Sequence, residues 1–460
     1  MALGALVAVL LVGGWLAIDH LPRFFQGDSI AYLSIDADHL WPDRSWAFGL
    51  LVSALLRASR SHLCFLLLQA ALLAGTTLAC AALFPPGTAR RLLFPLFVAC
   101  VSLDPLLGLY LRFYMSDLLA FLLFTAFLLC LHAGLRAPAR RFPGWWAAMA
   151  ACLAAAVFAR VAYAPVALLC LLGLGVGLLR ARAAVRPRGP ALRRLGLTLV
   201  LPPLALALLV GANAAVFAGR FPGEVFANKM SGVFLLGTFA PALQAEDFRA
   251  AGVAVSDAEV AALDLGNFHK RVRQIWGERG ESAHALIRDR LGITEEYSAT
   301  VDQVSGRILR HAAWRDPLAV ARVYAVGLLI YFSPDEWTTF LQEEMGLSRD
   351  LPEGFVQRVN AMTDRPLDPG ITGVVTPMLA AFLHLAPAYP LLLLCGSILA
   401  AWRLLSGRGD LAELVVSAGL LATVASVPLF SNYVIPRYVL AAVFLSHLLL
   451  VRACRRGAAA

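Results

Sequence analysis

Six ionisable residues stand inside or against the apolar runs of this chain: Asp104, Arg112, Asp117, Arg160, Arg322 and Arg437. Charge in or beside a hydrocarbon layer is costly, so each is a functional candidate. An arginine at a helix end has an ordinary alternative, snorkelling its head to water, which suits Asp104 and Asp117 poorly. The richest stretch lies between the first two apolar runs. It reads Gly27-Asp28-Ser29-Ile30-Ala31-Tyr32, then Asp36-Ala37-Asp38-His39, then Asp43-Arg44-Ser45-Trp46. A carboxylate such as Asp28, held at the edge of a low-dielectric layer, can have its pKa raised and serve as a general base. Aspartate is also a favoured helix N-cap, and the residues leave both roles open. Asp36 and Asp38 form an Asp-x-Asp pair whose oxygens suit Mg²⁺ or Mn²⁺, with His39 or Asp43 to complete a shell. On a helix that pair would point to different sides, and solvated loop charge is the other reading.

The elements that must carry these residues follow from composition. Of 460 residues 60% are hydrophobic and only 15% charged, against roughly 25% charged in a soluble domain. Lipid must therefore be the solvent for part of the chain. The net charge of +9 is no nucleic-acid signature, because the basic residues collect in short loops between apolar runs. All but two of the 39 are arginine, as a GC-rich bacterial coding sequence would give. The eight cysteines fall almost wholly inside apolar runs with no Cys-x-x-Cys spacing, so they read as small apolar fillers. Met1 to Ile18 lacks a basic leader and a small-residue cleavage site, which predicts a retained first span.

A crossing helix needs about 20 mainly apolar residues. Runs near 2–19, 63–84, 92–110, 114–133, 145–160, 163–180, 196–218, 389–405, 411–429 and 437–452 meet that need, and 319–333 and 371–386 are shorter. The expectation is an all-α polytopic membrane protein with 10–12 transmembrane helices. Arginines without acidic neighbours fill the loops 85–91, 134–144 and 180–195, and recur at 403–408 and 452–456. All five fall on one side, which the positive-inside rule makes cytoplasmic, with both termini. The other side then receives segment 20–62 and segment 219–318, whose sequence is mostly helical in pattern. Segment 334–370 carries eight acidic residues against three arginines, which favours the outside too. Five of the six in-span charges then lie near outer helix ends. Asp104 is the deepest, six residues before Tyr110 and about 9 Å further in.

This order of features resembles the GT-C superfamily of integral membrane glycosyltransferases, which includes the protein O-mannosyltransferases and the lipid A aminoarabinose transferase. The carriers of the resemblance are one span followed by a loop with Asp28 and Tyr32, Met115-Ser116-Asp117 opening the fourth span, Arg160 ending the fifth, and Arg437-Tyr438 at the last. The chain has Asp28 alone where many members show paired acids, and Asp43-Arg44-Ser45-Trp46 where His-Pro-Pro is common. The resemblance covers 1–218 best, as a seven-span module, with 219–318 as a helical loop subdomain and 319–460 as the C-terminal spans. It implies a bacterial plasma-membrane enzyme moving a sugar from a polyprenyl-phosphate carrier to a lipid or glycan acceptor at the periplasmic or extracellular face, with inversion. Asp28 would be the base, and Asp117 would position it or the acceptor. Arg160 and Arg437 would bind the donor phosphate beside Tyr163, with Arg112 and Lys229 as further phosphate candidates; Lys229 as an interfacial anchor is the plainer reading. Arginine suits that task because its planar fork takes two phosphate oxygens. No cofactor is implied beyond the divalent metal that Asp36 and Asp38 could hold.

Other classes fit less well. A transporter or flippase of lipid-linked sugars calls for polar groups at mid-membrane on matched broken helices, and no internal repeat is evident. A polysaccharide polymerase or ligase would share the lipid-linked donor and the outer site. A zinc hydrolase finds no His-Glu-x-x-His among the nine histidines.

Overall fold

The computed structural model describes residues 2–457 apart from 26, 36–39, 182–187, 268–270, 272–273, 275–276, 278–279, 296–297, 340–346, 348–349 and 432, and gives no side-chain surroundings for 88–89, 188 and 455–457. The metal candidates Asp36 and Asp38 thus lie outside the described residues. What is described is helical, with no strand and a single isolated parallel bridge between Arg23 and Phe113.

Eight helices among the described residues are long and apolar enough to cross a membrane: His62–Leu83, Asp117–Arg136, Ala139–Ala159, Tyr163–Arg180, Gly189–Phe217, Pro369–Ser406, Leu411–Leu429 and Pro436–Cys454. The chain is a polytopic membrane protein. Four of the runs behind the expected count of 10–12 do not appear separately among these eight. The first run forms Ala2–Ile18, whose 17 residues stand at the short limit of a crossing helix. The run at 92–110 breaks into Thr88–Leu103 and Pro105–Tyr110, because Asp104 caps the second piece and Pro105 starts it. The runs at 371–386 and 389–405 join through 3₁₀ turns into Pro369–Ser406. Pro317–Ile330, at 14 residues, spans about 21 Å, less than a hydrocarbon core.

The chain divides into two compact units. The first comprises Met1–Leu209, Trp337–Val424 and Pro436–Ala460. Lipid tails are as apolar as leucine, so helix association there must come from close packing and small residues. Gly396 faces Ser446 so closely that a β-carbon would run into the serine hydroxyl. Gly407 closes Tyr389–Ser406 in the left-handed region (φ 61°), where its backbone lies against the Arg180 carbonyl.

The second unit, Val210–Glu336 with Ala425–Ile435, takes in the expected helical segment 219–318 and the helix Pro317–Ile330. Its helices bury a core of their own, including Val233, Leu236, Phe248, Ile287, Val304 and Ile308. Ser256 and Glu259 cap a helix start reciprocally. Asp247 is buried between His311 (2.7 Å) and Arg315 (2.9 Å). Asp302 accepts from the backbone N–H groups of Gly232 (2.6 Å) and Val233 (3.2 Å), capping a neighbouring helix from across the core.

Candidate functional site

Within the first unit, three sequence-distant segments bring arginine to a pair of carboxylates, Asp28 and Asp117. The loop after Ala2–Ile18 is fastened to the turn before Asp117–Arg136. Arg23 N–H donates to Arg112 O (2.8 Å), and Tyr114 N–H donates to Arg23 O (3.2 Å). Phe24 stacks on Tyr114 at 5.2 Å, and Phe65 stacks on it at 4.1 Å. Tyr114 also shares a hydrogen bond with His62 (2.7 Å). These ties set the short helix Asp28–Leu33, whose Tyr32 hydroxyl meets Ser116 Oγ at 2.8 Å, one residue before Asp117. Ser45 caps the helix Trp46–Ser59 by accepting from Phe48 N–H, while its hydroxyl donates to Phe158 O at 2.6 Å. That bond holds Arg44 near the end of Phe142–Ala159, where Arg160 follows.

Asp28 sits at the first residue of its helix, buried, with both oxygens engaged. Oδ1 takes Arg44 Nη2 at 2.8 Å and Oδ2 takes Arg437 Nη1 at 2.6 Å. Arg44 also bonds Asp43, side chain to side chain at 2.5 Å. Arg160 forms an ion pair with Asp117, the first residue of a 20-residue helix whose dipole favours a carboxylate there. The Tyr438 ring lies beside both remaining arginines, 4.4 Å from Arg160 Cζ and 5.5 Å from Arg437 Cζ, and Phe25 flanks Arg437 at 4.7 Å. Aromatic faces attract guanidinium groups and here lie against two like charges. The cluster holds Arg44, Arg160 and Arg437 with Asp28, Asp43 and Asp117.

The rise in the Asp28 pKa that a low-dielectric edge allows is reversed. Burial pushes it up, but Arg437, Arg44 and Arg160, together with the hydrogen bond from Arg44, outweigh that and leave it at about 2. The nearby Tyr32 hydroxyl is raised, by burial first and by the Asp28 charge second. At rest, then, Asp28 is a counter-ion rather than a poised base.

The other candidates divide. Arg112 is fully buried, donating to the backbone carbonyls of Asp19 (2.5 Å), Trp15 (3.1 Å) and Gly108, with the Asp19 carboxylate at 3.3 Å. It ties the first helix to the break at 104–110 and has no fork to offer a phosphate. Tyr163 turns into the core against Phe124, ring centroids 5.1 Å apart. Lys229 belongs to the second unit, where it pairs with Glu224 at 3.0 Å and lies over the Phe221 ring. Arg44 was named only within its tetrapeptide, because a charge in a polar loop looks solvated.

Asp104 joins a separate group. Its Oδ1 accepts from Leu106 N–H (2.9 Å), Leu107 N–H (3.1 Å) and the Tyr389 hydroxyl (2.8 Å), and its Oδ2 takes His447 Nε2 at 2.7 Å. His447 was missed although an ionisable residue inside the last apolar run was signal enough. Among the described residues no group of three or more His, Cys, Asp or Glu side chains is placed to hold a metal ion. Comparison with protein families, curated proteins and solved structures finds no match.

Proposed function

We propose that this membrane protein is a glycosyltransferase of GT-C type that moves a sugar from a polyprenyl-phosphate carrier to an acceptor hydroxyl at the non-cytoplasmic face. The observation that carries the reading is the convergence of Arg44, Arg160 and Arg437 on Asp28 and Asp117, from the first loop, the end of one span and the start of the last. In the reaction the acceptor oxygen attacks the anomeric carbon while the bond to the phosphate oxygen breaks. The phosphate departs with the electron pair, and the acceptor proton passes to Asp28. The arginines supply the cation that the leaving phosphate needs. A single displacement inverts the anomeric centre.

The resting ion pairs fit this sequence of events. A phosphate that engages Arg437 and Arg44 competes for the donors now spent on Asp28. The released carboxylate then loses the hydrogen bonds and part of the field that depress its pKa, and becomes a stronger base when the donor is in place. Asp117 holds Arg160 in reach of the same site.

The test uses purified protein in lipid nanodiscs with a panel of polyprenyl-phosphate-linked hexoses and pentoses, reading release of free polyprenyl phosphate. Asp28→Asn keeps size and removes basicity, and turnover is expected to fall by about 10²–10⁴-fold with donor binding retained. Arg437→Lys and Arg160→Lys offer a point charge for a fork and are expected to weaken polyprenyl-phosphate binding by roughly 10–150-fold each, the equivalent of losing one charge-assisted hydrogen bond. Binding of polyprenyl phosphate unchanged in both lysine variants would remove the arginines from the donor site and sink the proposal.

A further inference from the structure

The second polar group lies well apart from the arginine cluster. His447 follows Arg437 by ten residues on the same terminal run, about 15 Å along a helix. If Arg437 stands at an interface, that distance places His447 near the middle of a hydrocarbon layer roughly 30 Å thick. A titratable pair at that depth calls for a function. It also lines a groove of about 240 Å³, walled by Cys100, Leu103, Pro105, Leu385, Ala388 and Leu392. Leu103 and Leu385 on its rim are about half exposed, at 51% and 49%, so the groove opens toward the lipid.

The hydrogen-bond inventory identifies which atom in the groove has capacity left. The Asp104 carboxylate already accepts from four donors. The Tyr389 hydroxyl donates to Asp104 and accepts from Leu106 N–H at 3.0 Å. His447 gives Nε2 to Asp104, and the described residues provide Nδ1 with no partner. An imidazole held through Nε2 on a carboxylate presents Nδ1 as an acceptor when neutral and as a donor when protonated, and a hydroxyl meets either. Its complement is therefore a group that can both donate and accept, as a hydroxyl does. The Asp104 charge 2.7 Å from the ring disfavours an anionic head. The space is enough for a small head and the first carbons of a chain, whose remainder would lie in the bilayer.

We propose that this groove is a lateral binding site for a neutral long-chain alcohol, whose hydroxyl hydrogen-bonds His447 Nδ1 with Asp104 and Tyr389 fixing the ring. The proposal stands apart from the arginine cluster and from any transfer reaction there.

The test uses the full-length protein in nanodiscs and hexadecanol carrying a photoactivatable diazirine near its head, with labelled peptides located by mass spectrometry. Labelling is expected within 100–105 and 385–392, displaced by unlabelled hexadecanol at least tenfold more effectively than by hexadecane or hexadecanoic acid. His447→Phe should lose that labelling by tenfold or more. Should that variant fail to fold, Leu385→Trp fills the groove from its rim without touching the polar group, and should abolish labelling equally. Hexadecane competing as well as the alcohol would reduce the groove to ordinary lipid contact. Hexadecanoic acid competing better would mean a cationic ring and an anionic ligand. Wild-type labelling in folded His447→Phe or Leu385→Trp would place the alcohol elsewhere. Each of these three results overturns the proposal.

Discussion

Two aspartates show how surroundings set the sign of a carboxylate's contribution to stability. Asp28, with a folded-state pKa of about 2, lies below its ordinary value near 3.9. Its stabilising contribution is complete above about pH 4 and fades as acid carries the pH down through 2. Asp302 is the reverse. Burial raises it to about 6 despite the two backbone N–H donors and the Lys229 charge. Between about pH 4 and 6 the folded state binds the extra proton, so stability falls as pH rises through that window, and the loss is complete by pH 7. Asp302→Asn keeps an oxygen for Gly232 and Val233 and removes the charge. It should be more stable than wild type at pH 7 by on the order of 1–2 kcal/mol and equal to it near pH 4, as read by thermal unfolding at the two pH values. A variant less stable at pH 7 would show that the charge itself is needed. The sequence reading picked out Asp28, Asp117, Arg160 and Arg437 because ionisable side chains beside apolar runs are visible without a structure. It offered Arg112 as a phosphate candidate, and did not show that backbone carbonyls from Trp15, Asp19 and Gly108 engage that guanidinium, since nothing local announces them. The direction of the Asp28 shift was equally out of reach, because two of its three arginines are remote in sequence.

Among the elements, long apolar runs were legible, most of them to within a few residues, and breaks within them less so. Asp104-Pro105 carried the information for the interruption of 92–110, but a hydropathy reading averages over it. Close packing between helices was not legible at all, since a glycine in an apolar run looks like any small residue. The contact of Gly396 with Ser446 shows what such a position does. Gly396→Leu must push Tyr389–Ser406 away from the last helix. Overpacking of this kind costs about 1–3 kcal/mol, and the variant should unfold at lower temperature in nanodiscs. Gly144→Leu, at a position with open space around the glycine, serves as the control and should be nearly neutral. Equal behaviour of the two would mean that the helices separate freely there.

For the whole molecule, orientation is argued from arginine distribution, and eight apolar helices are compatible with either direction of insertion. A cysteine at 280, in a background lacking the native eight, is expected to react with an impermeant maleimide added outside intact cells, and one at 188 to be spared. The opposite pattern would turn the arginine cluster toward the cytoplasm. If the cluster binds the lipid-linked donor proposed above, its charge balance bears on how that donor arrives. Arg44, Arg160 and Arg437 are matched by Asp28, Asp43 and Asp117, so the site sums to zero and projects little field beyond a few ångströms. Electrostatic steering, which accelerates charged ligands from water and weakens with ionic strength, has nothing to act on. Such a donor would instead be delivered by lateral diffusion, its encounter rate set by two-dimensional concentration in the bilayer. The Michaelis constant for a lipid-linked donor should then hold steady from low to high salt and change when the donor is diluted with other lipid. A steep salt dependence would reveal an attracting field that the paired charges do not provide.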